Sequence, residues 1–209
     1  MKWTRRPVFC AAPNECPGVP LPLWRGGRRV GKVLRSPAVG AGKVEYMVTR
    51  VFVEKKQGFN IEAQHMLADL KGNLGVQGLE EVRILNRYDV SGLSEEQFAA
   101  AARTILSEPT MDAVYGEEFR LPAEYKVFAM EYLPGQYDQR ADSAEQCVKL
   151  LNEKEEPIIR SATTYVIEGE ISDGQFAAIQ SLCINPVDSR ETGMEKPETL
   201  VTNLRNRRM

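Results

Sequence analysis

The chain repeats itself at an offset of 76 to 78 in sequence number, and this restricts the folds open to it more than any other feature. Leu93-Ser94-Glu95 is matched by Ile171-Ser172-Asp173, and Gln97-Phe98-Ala99-Ala100 by Gln175-Phe176-Ala177-Ala178, both at an offset of 78. Phe59-Asn60 is matched by Tyr137-Asp138 at the same offset, Val51-Phe52 by Val127-Phe128 at 76, and Pro109 by Pro186 at 77. A four-residue identity alone is within chance. Matching strands, caps and terminating prolines in one order are not.

Apolar periodicity gives each copy the order strand, helix, strand, helix. Val48 to Glu54 alternates and is rich in β-branched residues, which suits a strand. Asn60 is placed to cap a helix carrying Ile61, Ala63, Leu67, Leu70 and Leu74 on one face, with Gly75 as its stop. Leu79 to Val90 is extended. Ser94 caps a second helix through Phe98, Ala101, Ala102, Ile105 and Leu106, ended by Pro109. A short edge strand is expected over Tyr115 to Leu121. The second copy follows as a strand at 126–130, a helix from Asp138 to Asn152, an extended segment from Pro157 to Ile171, and a helix capped by Ser172. One such unit buries too little apolar surface to be comfortable alone. The expected fold is therefore α+β, with two tandem β-α-β-α repeats packed face to face as a pseudo-twofold fused dimer. The first repeat is expected over 47–122 and the second over 123–191.

Between strand and helix of the second copy lies an unusually polar turn, in the stretch EYLPGQYDQRADSAEQC. Asp138 or Ser143 can cap the helix there, and the repeat favours Asp138 because it falls opposite Asn60. The matching turn of the first copy, Lys55-Lys56-Gln57-Gly58, is two residues shorter and more basic. Gln136, Asp138, Arg140 and Asp142 are accordingly the candidate docking residues.

The ends differ from this core. Residues 1–46 carry a formal charge of +7, hold six of the twelve prolines and show no apolar period. Such a composition cannot build a core, so a disordered extension is expected. Met47 opens the first patterned segment and is expected to be the natural start; 192–209 is expected to be a linker or truncated tail. Residues 47–200 carry −12, which does not suit a nucleic-acid surface, and no apolar run reaches membrane-spanning length. A nucleic-acid-binding role would rest on the basic leader alone.

No catalytic residue, cofactor ligand or metal ligand is assigned. Cys10, Cys16, Cys147 and Cys183 form no paired metal-binding motif, and His65 is the only histidine. Cys147 and Cys183 are expected to be small buried hydrophobes in a reducing cytoplasm. Gly72, Gly75 and Gly78 fit helix ends and turns rather than a phosphate-binding loop. The acidic loop of Glu153, Glu155 and Glu156 is expected to be solvated.

Several consecutive stretches carry a resemblance: VFVEKKQGFNIEAQHMLADLKGNLGV, VRILNRYDVSG, EYLPGQYDQRADSAEQC and INPVDSRE followed by KPETL. Together, over Met47 to Leu200, they resemble the N-terminal domain of the large single-chain phosphoribosylformylglycinamidine synthase of clostridium-like bacteria. That family converts formylglycinamide ribonucleotide to formylglycinamidine ribonucleotide in purine biosynthesis, using ATP, magnesium and ammonia from glutamine. The resemblance implies a domain like a fused dimer of the separate small subunit, with ATP, magnesium and the glutaminase residues in other domains. It implies a cytoplasmic scaffold whose partners are the synthetase and glutaminase domains, or alternatively a free adaptor assembling with separate chains. Residues 1–46 and Val201 to Met209 depart from the family pattern, as a truncated or frameshifted product would.

Overall fold

In this computed structural model the described residues are 47–200, apart from Glu118, Arg120, Ala123 and residues 152–155. The expectations for 1–46, 201–209, Cys10, Cys16, Glu153 and Glu155 lie outside them. The order of elements is β1 (Thr49–Lys55), α1 (Ile61–Gly72), β2 (Leu79–Ser91), α2 (Glu95–Thr104) and β3 (Asp112–Tyr115). There follow β4 (Lys126–Tyr132), α3 (Gln139–Leu151), β5 (Ile158–Gly169), α4 (Asp173–Cys183) and β6 (Ser189–Thr192). The class is α+β, as the periodicity predicts.

Strands β1 to β6 join one antiparallel sheet in the order β3-β1-β2-β5-β4-β6. The expectation of halves packed face to face is overturned. They meet edge to edge through the long β2–β5 ladder, which runs from Leu79↔Gly169 to Ser91↔Ile158. Two long alternating strands leave ladder groups unpaired unless they find each other, and pairing satisfies both.

The ladder pairings recur at a constant offset in residue number. Val51 pairs with Tyr88, and at an offset of 77 Phe128 pairs with Tyr165. Phe52 pairs with Tyr115, and at the same offset Ala129 pairs with Thr192. At the middle of the central ladder Asn86 pairs with Thr163, whose numbers differ by the same 77. The strand match of Val51-Phe52 to Val127-Phe128 is therefore one residue out. Val51 and Phe128 join the helix-side clusters, whereas Phe52 and Val127 lie together on the opposite face. Because side chains alternate, a slip of one residue exchanges the faces.

Helices α1 to α4 cover one face of the sheet. Ala101 of α2 and Ala141, Ala144 and Val148 of α3 pack with Val51, Val53, Tyr88, Val90 and Ile159. Leu70 of α1 and Ile179 of α4 pack with Val82, Phe128 and Ile167. Each cluster thus draws on both halves. Phe128 stacks on Tyr165 with centroids 4.9 Å apart and meets Phe176 edge-on at 5.7 Å, geometries that add to simple burial.

Local signals explain the helix ends. Ser94 and Ser172 each form a full capping box with Gln97 and Gln175. Gly75, with φ +65°, closes α1, and the Val76 N–H returns to the Leu70 carbonyl at 3.2 Å. Gly78 ends no helix: a Cβ there would collide with the Glu170 carbonyl, because the start of β2 lies against the end of β5. Asn60 does not cap α1; its side-chain oxygen accepts instead from Gln64 Nε2 at 2.9 Å and from the Gly58 N–H at 3.3 Å. The edge strand expected over Tyr115 to Leu121 is β3, which starts at Asp112 and ends at Tyr115. Beyond it Phe119, Leu121 and Tyr125 fold onto Phe52, Leu85 and Val166 on the second face.

That second face also holds buried charge. The Arg50 guanidinium donates to both Asp89 oxygens, at 2.5 and 2.8 Å, and to the carbonyls of Met194 and Glu195. Arg87 donates to the Gly193 carbonyl at 2.9 Å. The segment after β6 is thereby tied across the sheet by two buried arginines. Among the described residues, no helix is long and apolar enough to cross a membrane.

Candidate functional site: the polar turn and the groove over the sheet centre

β4 pairs with β5 only as far as Met130↔Thr163, so among the described residues no strand flanks 158–162 of β5 on that side. Two N–H groups on this edge are taken by carboxylates of the turn and helix. The Ser161 N–H donates to Asp138 Oδ2 at 3.1 Å, and the Ile159 N–H to Glu145 Oε1 at 3.0 Å. Asp138 also accepts from the Ser161 hydroxyl at 2.9 Å and from the Ala141 N–H at 2.9 Å, which makes it the cap of α3. Asp138 of the turn and Glu145 of α3 therefore satisfy a ladder that β4 leaves early.

The other three predicted docking residues lie further out. Gln136 is exposed and donates to the Val187 carbonyl at 3.4 Å. Asp142 accepts from the Tyr137 hydroxyl at 3.0 Å and from Gln146 Nε2 at 2.6 Å. Arg140 turns the opposite way, over the sheet, and its Nη1 lies 3.4 Å from the Tyr88 hydroxyl. Partial burial opposes the Arg140 charge. The Tyr88 hydroxyl and the carboxylates of Glu62 and Asp138 favour it, and on balance the guanidinium is held above its ordinary value.

Arg140 borders a groove of about 600 Å³ above the middle of the sheet. Its floor includes the paired Asn86 and Thr163, and its walls carry Glu62, Tyr88, Tyr132 and Tyr165. Tyr88 and Tyr165 are related by the offset of 77, and Glu62 and Arg140 by 78. Burial pushes the Tyr165 phenol up to about 12.

Cys147 also lines the groove and is exposed, which corrects its expected burial. At the sixth position after Ala141 it falls off the apolar stripe of Ala141, Ala144 and Val148. Cys183 is partly buried against the cluster around Phe128, and burial raises its thiol to about 11. His65 is exposed on α1.

The groove can hold a chain or side chain through aromatic walls and one guanidinium. Among the described residues Glu62 is the one carboxylate that lines the groove. Among the described residues, no group of three or more His, Cys, Asp or Glu is placed to hold a metal ion. No family model, curated protein or solved structure matches this chain.

Proposed function

We propose that this chain is the small-subunit-like scaffold domain of a phosphoribosylformylglycinamidine synthase, built as a pseudo-twofold fused dimer of β-α-β-α units. The observation that carries the proposal is the register. The β1–β2 and β1–β3 pairings recur in β4–β5 and β4–β6 with both partners moved by the same offset, 77, around a central Asn86–Thr163 pair. A homodimer whose subunits share a sheet has this arrangement, and joining the two chains preserves it. This supports the small-subunit likeness implied by the sequence resemblance.

In this role the chain performs no chemistry itself. It positions the synthetase and glutaminase domains of a cytoplasmic purine-synthesis enzyme, whose ATP and magnesium sites belong to those other domains. Residues 47–200 carry a charge of −12, which favours protein partners over nucleic acid. The docking surface combines the outer side of the turn, Gln136 and Asp142, with the groove behind Arg140, while Asp138 braces it from within.

Association is the test. The purified chain, mixed with separately made synthetase and glutaminase chains of this family, is expected to form a complex stable to gel filtration. Independent migration of all three chains contradicts the proposal.

A further inference from the structure

We propose that the pocket beside Arg87, on the sheet face opposite the helices, binds a small oxyanion, a carboxylate or a phosphate, through the Arg87 guanidinium. This pocket has a volume of about 410 Å³ and lies between the sheet and the segment after β6. Arg87 is 3% exposed, and its Nε is buried without a hydrogen-bond partner among the described residues. Its Nη1 donates to the Gly193 carbonyl at 2.9 Å, and its Nε lies 3.7 Å from Asp89 Oδ2.

The charges around it leave Arg87 short of a counter-ion. Three carboxylates line the pocket, those of Asp89, Glu131 and Glu195. Asp89 is gripped by Arg50 through two hydrogen bonds, and Arg190 holds Glu131 through two more, at 2.8 and 2.6 Å. Glu195 is exposed. Of the two other cations lining the pocket, Lys196 pairs with Glu117 at 2.8 Å and Arg160 is exposed. Two buried guanidiniums therefore share one buried carboxylate. Burial, and then repulsion from Arg50, pull Arg87 below its ordinary value.

A buried guanidinium that shares its one buried carboxylate with a second guanidinium is unfavourable, and an oxyanion seated in the pocket against the Arg87 guanidinium would balance the pair. Thr192 and Thr199 add hydroxyl-bearing residues to the pocket wall.

The test titrates the full chain with sodium phosphate and, separately, with sodium acetate, at ionic strength held constant by chloride. Arginine Nε–H resonances are followed by NMR. One resonance, absent from Arg87→Lys, is expected to shift saturably. Saturation by phosphate identifies a phosphate ligand, and saturation by acetate a carboxylate. Arg87→Lys keeps the charge but loses Nε–H, and is expected to bind about tenfold more weakly. Linear drift with both salts, or an undiminished affinity in Arg87→Lys, overturns the proposal. Should Arg87→Lys fail to fold, the wild-type resonance decides: a saturable shift upholds the site and linear drift removes it.

Discussion

Asp138 and Ser161 are joined through both the backbone and the side chain of the serine: the N–H donates at 3.1 Å and the hydroxyl at 2.9 Å. The same carboxylate caps α3 through the Ala141 N–H. One side chain thus closes a helix start and a strand edge. Asp138→Ala is expected to destabilise the fold by about 2–3 kcal/mol, the loss of a cap plus an unsatisfied strand N–H. Asn60→Ala, at the matching position, removes no cap bond and is expected to change stability by less than about 1 kcal/mol. Urea unfolding of both variants checks the difference.

The two capping boxes give a direct comparison between the halves. Ser94→Ala and Ser172→Ala should each cost about 1 kcal/mol, and the double variant close to their sum. A loss confined to one site would show that the matched positions do not play matched parts.

These capping boxes are the part of the fold most legible in the sequence. Ser and Gln three residues apart specify a local geometry that tertiary contacts need not supply. Long alternating strands are legible for the same reason. The partner of each strand is not: alternation shows that β2 and β5 have buried faces, but not that they pair with each other. The offset of β1 and β4 reads one residue wrong because Val-Phe recurs at 76 while the faces recur at 77. β6 is silent in the sequence because Ser-Arg-Glu-Thr carries no apolar signal; it exists by pairing with β4. For the candidate site, Arg140 and its turn stand out by polarity. Tyr88, Tyr165 and Glu62 do not, since only the fold brings them to the groove that Arg140 borders. Arg50, Arg87 and Asp89 read as the solvent side of their strands. The clue against that is apolar Phe52 and Leu85 alternating with the helix-side residues, which requires cover on both faces.

Alkaline pH should expose the buried acids. Tyr165 and Cys183 are neutral when protonated, and burial raises them to about 12 and about 11, from ordinary values of 10.0 and 9.0. Between those limits the folded chain binds more protons than the unfolded one, so stability is intact below about pH 9 and falls as pH rises towards 12. Tyr165→Phe, which keeps the ring on Phe128, should flatten the upper part of that fall. Thermal midpoints measured from pH 8 to 11 check this.

Arg140 separates docking from folding. It is exposed and its Tyr88 contact is long, so Arg140→Ala should alter stability by less than about 0.5 kcal/mol. If Arg140 anchors the proposed docking surface, the same variant should weaken association with the synthetase and glutaminase chains by about 5- to 30-fold, or ~1–2 kcal/mol. Titration calorimetry or gel filtration reads the difference.

The central claim is that the chain is a scaffold for a glutamine-dependent synthetase. Its most direct test is formation of formylglycinamidine ribonucleotide from formylglycinamide ribonucleotide, ATP and glutamine. The prediction is no turnover by the purified chain alone, and glutamine-dependent turnover when it is added to synthetase and glutaminase chains that are inactive without it. Turnover by the chain alone, or no stimulation on mixing, would contradict it.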